Sequence, residues 1–304
     1  MTGARERGAS LFGHPRDTSP EMQVREKGTK PSRGGVAYMR KTVDRAKEVL
    51  AEKHDLTQVR IRPVTLRSAR FSLPCVVDGV RRGEEVHLFV KIMGSSDHFT
   101  AVISQLMKNV YLEKNGRPAM FEVAGSALGM ARHQHDRLLE FVQKGIPTSP
   151  PLGYHDLDGI RALLVMEFIP GNPFTKVEIT PALAKAAFDV MRRMHQHQLY
   201  HGDVKLDNLI LGPDGKIYLL DVGSFREGTP EREQRAYDIA SMLCALSERM
   251  PVDELLRAGV LKYSSDDQRA AVLYVELSRN RPDFFLPDEV IEPIKARLSA
   301  GEDR

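Results

Sequence analysis

The sequence predicts an α+β protein, with a small antiparallel β region and helices in its first half and a mainly helical second half. Three observations carry that reading. Apolar, β-branched runs at residues 59–66, 71–78 and 85–92 follow one another closely, with Asp78-Gly79 and Arg82-Gly83 supplying turn chemistry between the last two. Helical spacing of apolar residues dominates most of the remainder. A short hairpin pattern interrupts the second half at residues 209–220. At 304 residues and 41% hydrophobic content, the chain can bury one large core or two smaller lobes.

Residues 1–35 are rich in Gly, Pro, Ser and charge without an apolar period, so a disordered tail is expected there. Over residues 36–54, Val36, Met39, Val43, Ala46, Val49 and Leu50 fall at helical spacing and define an amphipathic helix that must pack on the first lobe. The three β runs then form a meander. Two helix-like stretches follow, residues 99–114 and 119–144, the second ended by Gly145-Ile146-Pro147. Residues 163–168 (LLVMEF) read as a buried strand running into Ile169-Pro170-Gly171. Helices are expected near residues 181–198, from Asp238 on (Tyr237, Ile239, Met242, Leu243, Leu246) and over 270–277. The last is entered through a capping box at Ser265-Asp266-Asp267-Gln268 and stopped by Asn280-Arg281-Pro282. Phe284-Phe285 reads as core.

Composition narrows the function classes. No run of 18 apolar residues exists and the first residues lack an apolar signal core, so a soluble, cytoplasmic protein without a membrane span is expected. Cys75 and Cys244 lie far apart and make no disulfide or metal framework; both read as buried small hydrophobes. The net charge of +3 matches the excess of seven Lys/Arg over four Asp/Glu within residues 1–36, so the remainder is near neutral and nucleic acid is not indicated.

The chemistry is concentrated in residues 199–223, LYHGDVKLDNLILGPDGKIYLLDVG. His201, Asp203, Lys205 and Asn208 form H-x-D-x-K-x-x-N, and Asp221 and Gly223 form D-x-G. Phosphoryl transfer asks a site to position groups and neutralise charge. Asp203 can orient an attacking hydroxyl, Lys205 can meet the transferring phosphate, and Asn208 and Asp221 are hard oxygen ligands for Mg²⁺. Between the last two, Leu209-Ile210-Leu211, the turn Pro213-Asp214-Gly215 and the run from Ile217 to Leu220 read as a hairpin. A hairpin brings its ends together, so the 13 residues of separation collapse and the two ligands can share one ion. Three histidines, His195, His197 and His201, do not make a persuasive zinc site, because i and i+2 on a helix point apart.

This segment resembles the catalytic and metal-binding loops of the protein-kinase-like superfamily, and in particular an atypical branch with RIO-type, tRNA-modification-complex and lipopolysaccharide-core kinases. The resemblance implies a two-lobed fold with a β-rich nucleotide lobe, residues 36–170, and a helical catalytic lobe, residues 171–304, using ATP and Mg²⁺ and a protein or small-molecule hydroxyl acceptor. It makes Asp203 the catalytic base, Lys205 a γ-phosphate contact and Asn208 and Asp221 the metal ligands. Lys91, in HLFVKI of the third strand, becomes the lysine that pairs with the α and β phosphates. Residues 167–171 become the hinge, where Met166 is the gatekeeper and backbone groups of Glu167 and Ile169 meet adenine. His195 resembles the structural histidine ahead of the catalytic loop, and Asp238 the buried aspartate that anchors that loop. Lys at position 205 is the protein-kinase habit, which favours an atypical Ser/Thr protein kinase over a sugar or lipopolysaccharide-core kinase; a nucleotide-binding pseudokinase is the third reading.

Departures from the family pattern are equally pointed. No G-x-G-x-x-G is present, and the turn at residues 67–72 (RSARFS) must cover the phosphates instead. The acid that should pair with Lys91 is open among Glu122, Asp136 and Glu140, with Glu122 preferred because Phe121-Glu122 opens the expected helix; counting back from Gly145-Ile146-Pro147 lands on Gln134. His133 and His135 read as surface residues. Only 16 residues lie between Asp221 and Asp238, too few for a long activation segment, and Gly202 stands where an Arg would read an activation-loop phosphate. Both point to a constitutive enzyme.

Overall fold

The structure is a computed structural model; it describes residues 33–64, 72–123, 125–279 and 286–300. Chain packing separates a short unit, residues 1–39, from a compact unit, residues 40–304, which carries the sheets and every element after the first helix. The expected tail up to residue 32, the turn at residues 67–71, the stop at Asn280-Arg281-Pro282 and the pair Phe284-Phe285 lie outside the described residues.

Helix α1 (Arg33–His54) is followed by strands β1 (Thr57–Pro63), β2 (Leu73–Arg81) and β3 (Glu84–Met93). The β2–β3 turn is Arg82-Gly83, both in the left-handed region (φ 54° and 87°), the conformation a two-residue hairpin needs to match strand twist. Asp78-Gly79, expected in that turn, stays within β2, paired with His87 and Val86. The strand alternation sorts the side chains. Val90 and Ile92 face one side, where Ala46, Val49 and Leu50 of α1 close a core with Cys75, Val77 and Val165. Met93, Leu164 and Met166 face the other side and join the main core. Lys91 has the parity of this second face.

After β3 the chain forms α2 (Ser95–Lys114), an extended stretch, and α3 (Ala127–Gln143). The single helix expected over 119–144 therefore starts eight residues late. Ser126 caps it, its hydroxyl accepting the Gly129 N–H at 3.0 Å, and Phe121 upstream pairs instead in an antiparallel bridge with Phe225. Strands β4 (Pro151–Asp156), not foreseen from its weak alternation, and β5 (Ala162–Glu167) complete an antiparallel sheet of order β1-β2-β3-β5-β4.

The second half begins with β6 (Asn172–Pro173) and α4 (Pro181–Gln196), capped by Thr180. The hairpin β7 (Leu209–Leu211) and β8 (Ile217–Leu219) pairs with β6 in a small sheet of order β6-β7-β8. Helices α5 (Glu231–Ser247), α6 (Val252–Ala258), α7 (Ser265–Arg279) and α8 (Asp288–Ala300) follow. The cap of α7 is Ser264, one residue before the expected box: its hydroxyl accepts the Asp267 N–H at 3.1 Å. Helix α5 is buried on every side from Ala236 to Leu246, which its apolar run requires. The main core runs from Met93, Leu164 and Met166 through α3, α4 and α5 to α8. This is an α+β fold, a small antiparallel sheet with helices followed by a helical half, compatible with a two-lobed kinase-like architecture. Among the described residues no helix is long and apolar enough to cross a membrane. Both cysteines are free and buried, and burial pushes the Cys75 thiol up to about 12.

Candidate active site

The hairpin closes as its sequence requires. Leu209 pairs with Leu219 and Leu211 with Ile217, and the Leu220 N–H donates to the Asn208 carbonyl at 2.8 Å, so Asn208 and Asp221 stand side by side at its open end. Asp221 adopts φ 60°, which costs a non-glycine residue about 1–2 kcal/mol and turns the chain out of the strand direction. Next to it, Asn208 Nδ2 donates to the Asp203 carbonyl at 2.9 Å and to Asp203 Oδ2 at 3.2 Å. With its N–H₂ spent on Asp203, the amide oxygen of Asn208 is the atom left to meet a ligand. Lys205 Nζ sits 2.9 Å from Asp203 Oδ2.

Strand β3 delivers the remaining cation. Lys91 Nζ lies 2.7 Å from Asp221 Oδ1, bridging the sheet and the hairpin. Burial alone would push the Asp221 carboxyl up; Lys91 and Lys205 outweigh it and hold the group below the usual carboxylate range, so it is ionised at neutral pH. Two lysines and two aspartates thus share one cluster, with 38% of the Asp221 side chain exposed. The Asp221 carboxylate and the Asn208 amide oxygen are hard donors of the kind Mg²⁺ takes, and these residues fit that ion.

Below the cluster lies an anchor. Asp238, completely buried on α5, accepts the backbone N–H of His201 and of Gly202, both at 2.8 Å, and sits 3.2 Å from His195 Nε2. The Tyr263 hydroxyl holds the other His195 nitrogen at 3.1 Å. His201 itself accepts the Asp203 N–H on Nδ1 at 3.2 Å. Burial pushes its pKa down against the pull of Asp238, Asp203 and Asp221, keeping the ring neutral. The three histidines considered for zinc therefore part ways: His195 and His201 serve the loop, and His197 is the exposed C-cap of α4.

Gly202 has φ 77°, and a Cβ there would lie 2.9 Å from the Ser224 Cβ and 3.1 Å from its backbone nitrogen. A side chain there would strain the backbone and force Ser224 to shift, so glycine suits this position better than the Arg of the family pattern. The chain after Gly223 fills that space: the Glu122 N–H donates to the Ser224 carbonyl at 3.0 Å and the Arg226 N–H to the Met120 carbonyl at 2.9 Å. The short link between Asp221 and Asp238 is thereby zipped to residues 120–122.

The structure answers the question of the acid on the helix differently from the sequence. The Glu122 backbone pairs with Ser224 as above, Asp136 pairs with His135 and Arg132, and Glu140 with Arg137. The α3 residue that reaches the cluster is Gln134, whose Nε2 donates to the same Asp221 Oδ1 that Lys91 meets. His133, read as a surface residue, is half-buried and holds the Gly223 carbonyl at 2.6 Å, while the Arg137 stem covers Gly223 closely enough to exclude a Cβ. Their signal in the sequence is register: 133 and 137 lie one turn apart on one side of α3, next to Gln134 in its buried stripe. His135 is likewise mostly buried, edge-on to Tyr154.

At the end of β5 the Glu167 N–H donates to the Pro150 carbonyl at 2.9 Å and the Glu167 carbonyl accepts the Ser149 hydroxyl. Ile169 has no backbone partner among the described residues. Met166 is buried beside Leu164.

The chain matches no protein-family model. Stretches of it are similar to curated protein kinases. It is 30% identical over 144 residues to the serine/threonine-protein kinase pak-1 of Caenorhabditis elegans, covering 40% of this chain and 25% of the relative. It is 26% identical over 181 residues to the CTD kinase subunit alpha of Schizosaccharomyces pombe, covering 59% and 29%. A 79-residue stretch is 37% identical to a probable bifunctional tRNA threonylcarbamoyladenosine biosynthesis protein of Methanosarcina acetivorans, covering 26% and 13%. The matches span less than a third of the length of each of these relatives. They support a relationship to the kinase-like superfamily.

Proposed function

We propose that this protein is an atypical Ser/Thr protein kinase, transferring the γ-phosphate of ATP to a hydroxyl acceptor with Mg²⁺. The observation that carries the proposal is the convergence of Lys91, Asp203, Lys205, Asn208 and Asp221 from a strand, a loop and a hairpin into one cluster. Residues 36–170 serve as the nucleotide half and 171–304 as the catalytic half. The Asn208 amide oxygen and the Asp221 carboxylate would hold the metal, which when bound neutralises charge on the phosphates. Asp203 accepts a hydrogen bond from the acceptor hydroxyl and takes its proton, while Lys205, now paired with Asp203, turns to the transferring phosphate. Lys91 is the counter-ion for the remaining phosphates. Adenine lies against β5, with Ile169 as its main backbone contact, because both backbone groups of Glu167 already have partners. Lys205 favours a protein acceptor, as does the kinase character of the relatives.

The test is transfer from γ-labelled ATP by the full chain to protein acceptors and, in parallel, to sugars. Label on Ser or Thr is expected, falling by about 10²–10⁴ in Asp203→Ala with nucleotide affinity unchanged. Label on sugars alone would overturn the protein acceptor, and nucleotide binding without any transfer would overturn the enzyme.

A further inference from the structure

Gln134 is out of place by its surroundings. The buried stripe of α3 reads Ala127, Ala131, Gln134, Leu138, Phe141, at helical spacing against the main core. An amide in such a stripe costs on the order of 1–3 kcal/mol unless a partner compensates it. The partner is Asp221 Oδ1. That oxygen takes both side-chain donors found for the carboxylate among the described residues, Gln134 Nε2 and Lys91 Nζ, while 38% of the Asp221 side chain stays exposed.

We infer that Gln134 is a positioning residue for the metal ligand Asp221, and that this site works with a neutral amide on α3 where a carboxylate would disable it. The inference rests on the reading of Asp221 as a Mg²⁺ ligand. Lys91 and Lys205 balance Asp203 and Asp221, and Gln134 adds a donor without adding charge. A carboxylate at 134 would place two acceptors against one another across a hydrogen-bond distance and compete with Asp221 for Lys91. Gln134 instead fixes the plane of the Asp221 carboxylate while Lys91 is free to leave it for phosphate, so the metal ligand keeps its orientation when its cation partner changes. His133, holding the Gly223 carbonyl from the same helix, supports the other end of this short segment.

Binding of a non-hydrolysable ATP analogue to the full chain, measured by calorimetry over a series of Mg²⁺ concentrations, tests this without recourse to turnover. Gln134→Met keeps length and apolar packing and removes the donor. It should raise the Mg²⁺ concentration for half-maximal binding by about 10- to 100-fold, the usual effect of losing a group that orients a metal ligand, with binding in EDTA unchanged. A purely structural role would shift the melting temperature and leave the Mg²⁺ dependence alone. Gln134→Glu, nearly the same shape, should weaken Mg²⁺-dependent binding at least as much, and carries the test should the Met variant not fold. Wild-type Mg²⁺ dependence in either folded variant, or tighter binding in Gln134→Glu, would overturn the inference. Asp221→Asn separates the two levels: if it too leaves the Mg²⁺ dependence unchanged, the metal reading itself fails.

Discussion

Asp238 and Asp221 are the same residue type 17 positions apart, and the molecule treats them in opposite ways. Asp238 has no exposed surface and spends both oxygens on donors that cannot leave, two backbone N–H groups and the ring of His195, which Tyr263 holds from behind. Asp221 is partly exposed and is held by two side chains, Lys91 and Gln134, on a single oxygen. A carboxylate bound by backbone defines the path of a loop. One bound by a flexible lysine can exchange that lysine for a metal or a ligand without moving the chain. The contrast separates scaffold from chemistry inside one site.

The largest effect is expected at the scaffold. Asp238→Ala strands two buried backbone N–H groups and a buried histidine, and should cost about 3–5 kcal/mol, as other buried charge partners do when removed. Denaturant unfolding reads the loss directly, and transfer should fall with it because His201 and Gly202 lead into Asp203. A variant as stable as wild type would show that the loop is not hung on Asp238.

Gly202→Arg, which restores the residue usual in regulated kinases, comes next. At φ 77°, with Ser224 2.9 Å from the new Cβ, it should destabilise by about 2–4 kcal/mol and lower transfer rather than create a phosphate-reading site. Unchanged melting would mean that the link after Gly223 yields easily.

The smallest effect involves a polar pair remote from both aspartates. His54, ending α1, and His155 on β4 meet through Nε2 atoms 2.8 Å apart, a bond that needs one ring neutral to accept. Burial, with His155 and Arg81 against Asp55, lowers the His54 pKa; burial and Lys53 lower that of His155. Because the unfolded rings bind protons near pH 6.5 and the folded ones only below it, the pair stabilises fully above that value and less as pH falls. Between pH 7.5 and 5.5 His155→Gln should flatten the loss by on the order of 1 kcal/mol, the worth of one hydrogen bond. The buried His201 contributes a slope that both proteins share. Identical slopes would show that the pair does not titrate on unfolding.

Much of the site is legible in sequence because its parts are local. His201 to Asn208 is one loop, and a two-stranded hairpin carries the chain from Asn208 to Asp221, so spacing alone sets their geometry. The strand parity of Lys91 is equally local. What sequence left open depends on long-range packing. Attraction between opposite charges points to an acid on the helix as the partner of Lys91, whereas α3 offers the amide of Gln134 and the acid is Asp221 itself. Phe121-Glu122 reads as the opening of a helix over 119–144, but residues 120–122 pair with 224–226, a contact whose partner lies about a hundred residues away. The edge strand β4 shows little alternation because none of its positions is fully buried, and Asp78-Gly79 stays in the strand because two adjacent turn pairs compete for one hairpin and register decides between them.

The most direct measurement of the central claim is Mg²⁺-dependent phosphoryl transfer by Asp221→Asn, run beside its thermal unfolding. An amide keeps the shape and a bond from Gln134 but is a poor Mg²⁺ ligand beside phosphates. The account predicts that transfer from ATP drops below detection while the unfolding transition stays close to that of wild type. Transfer at the wild-type rate, or loss of transfer accompanied by loss of the fold, would contradict it.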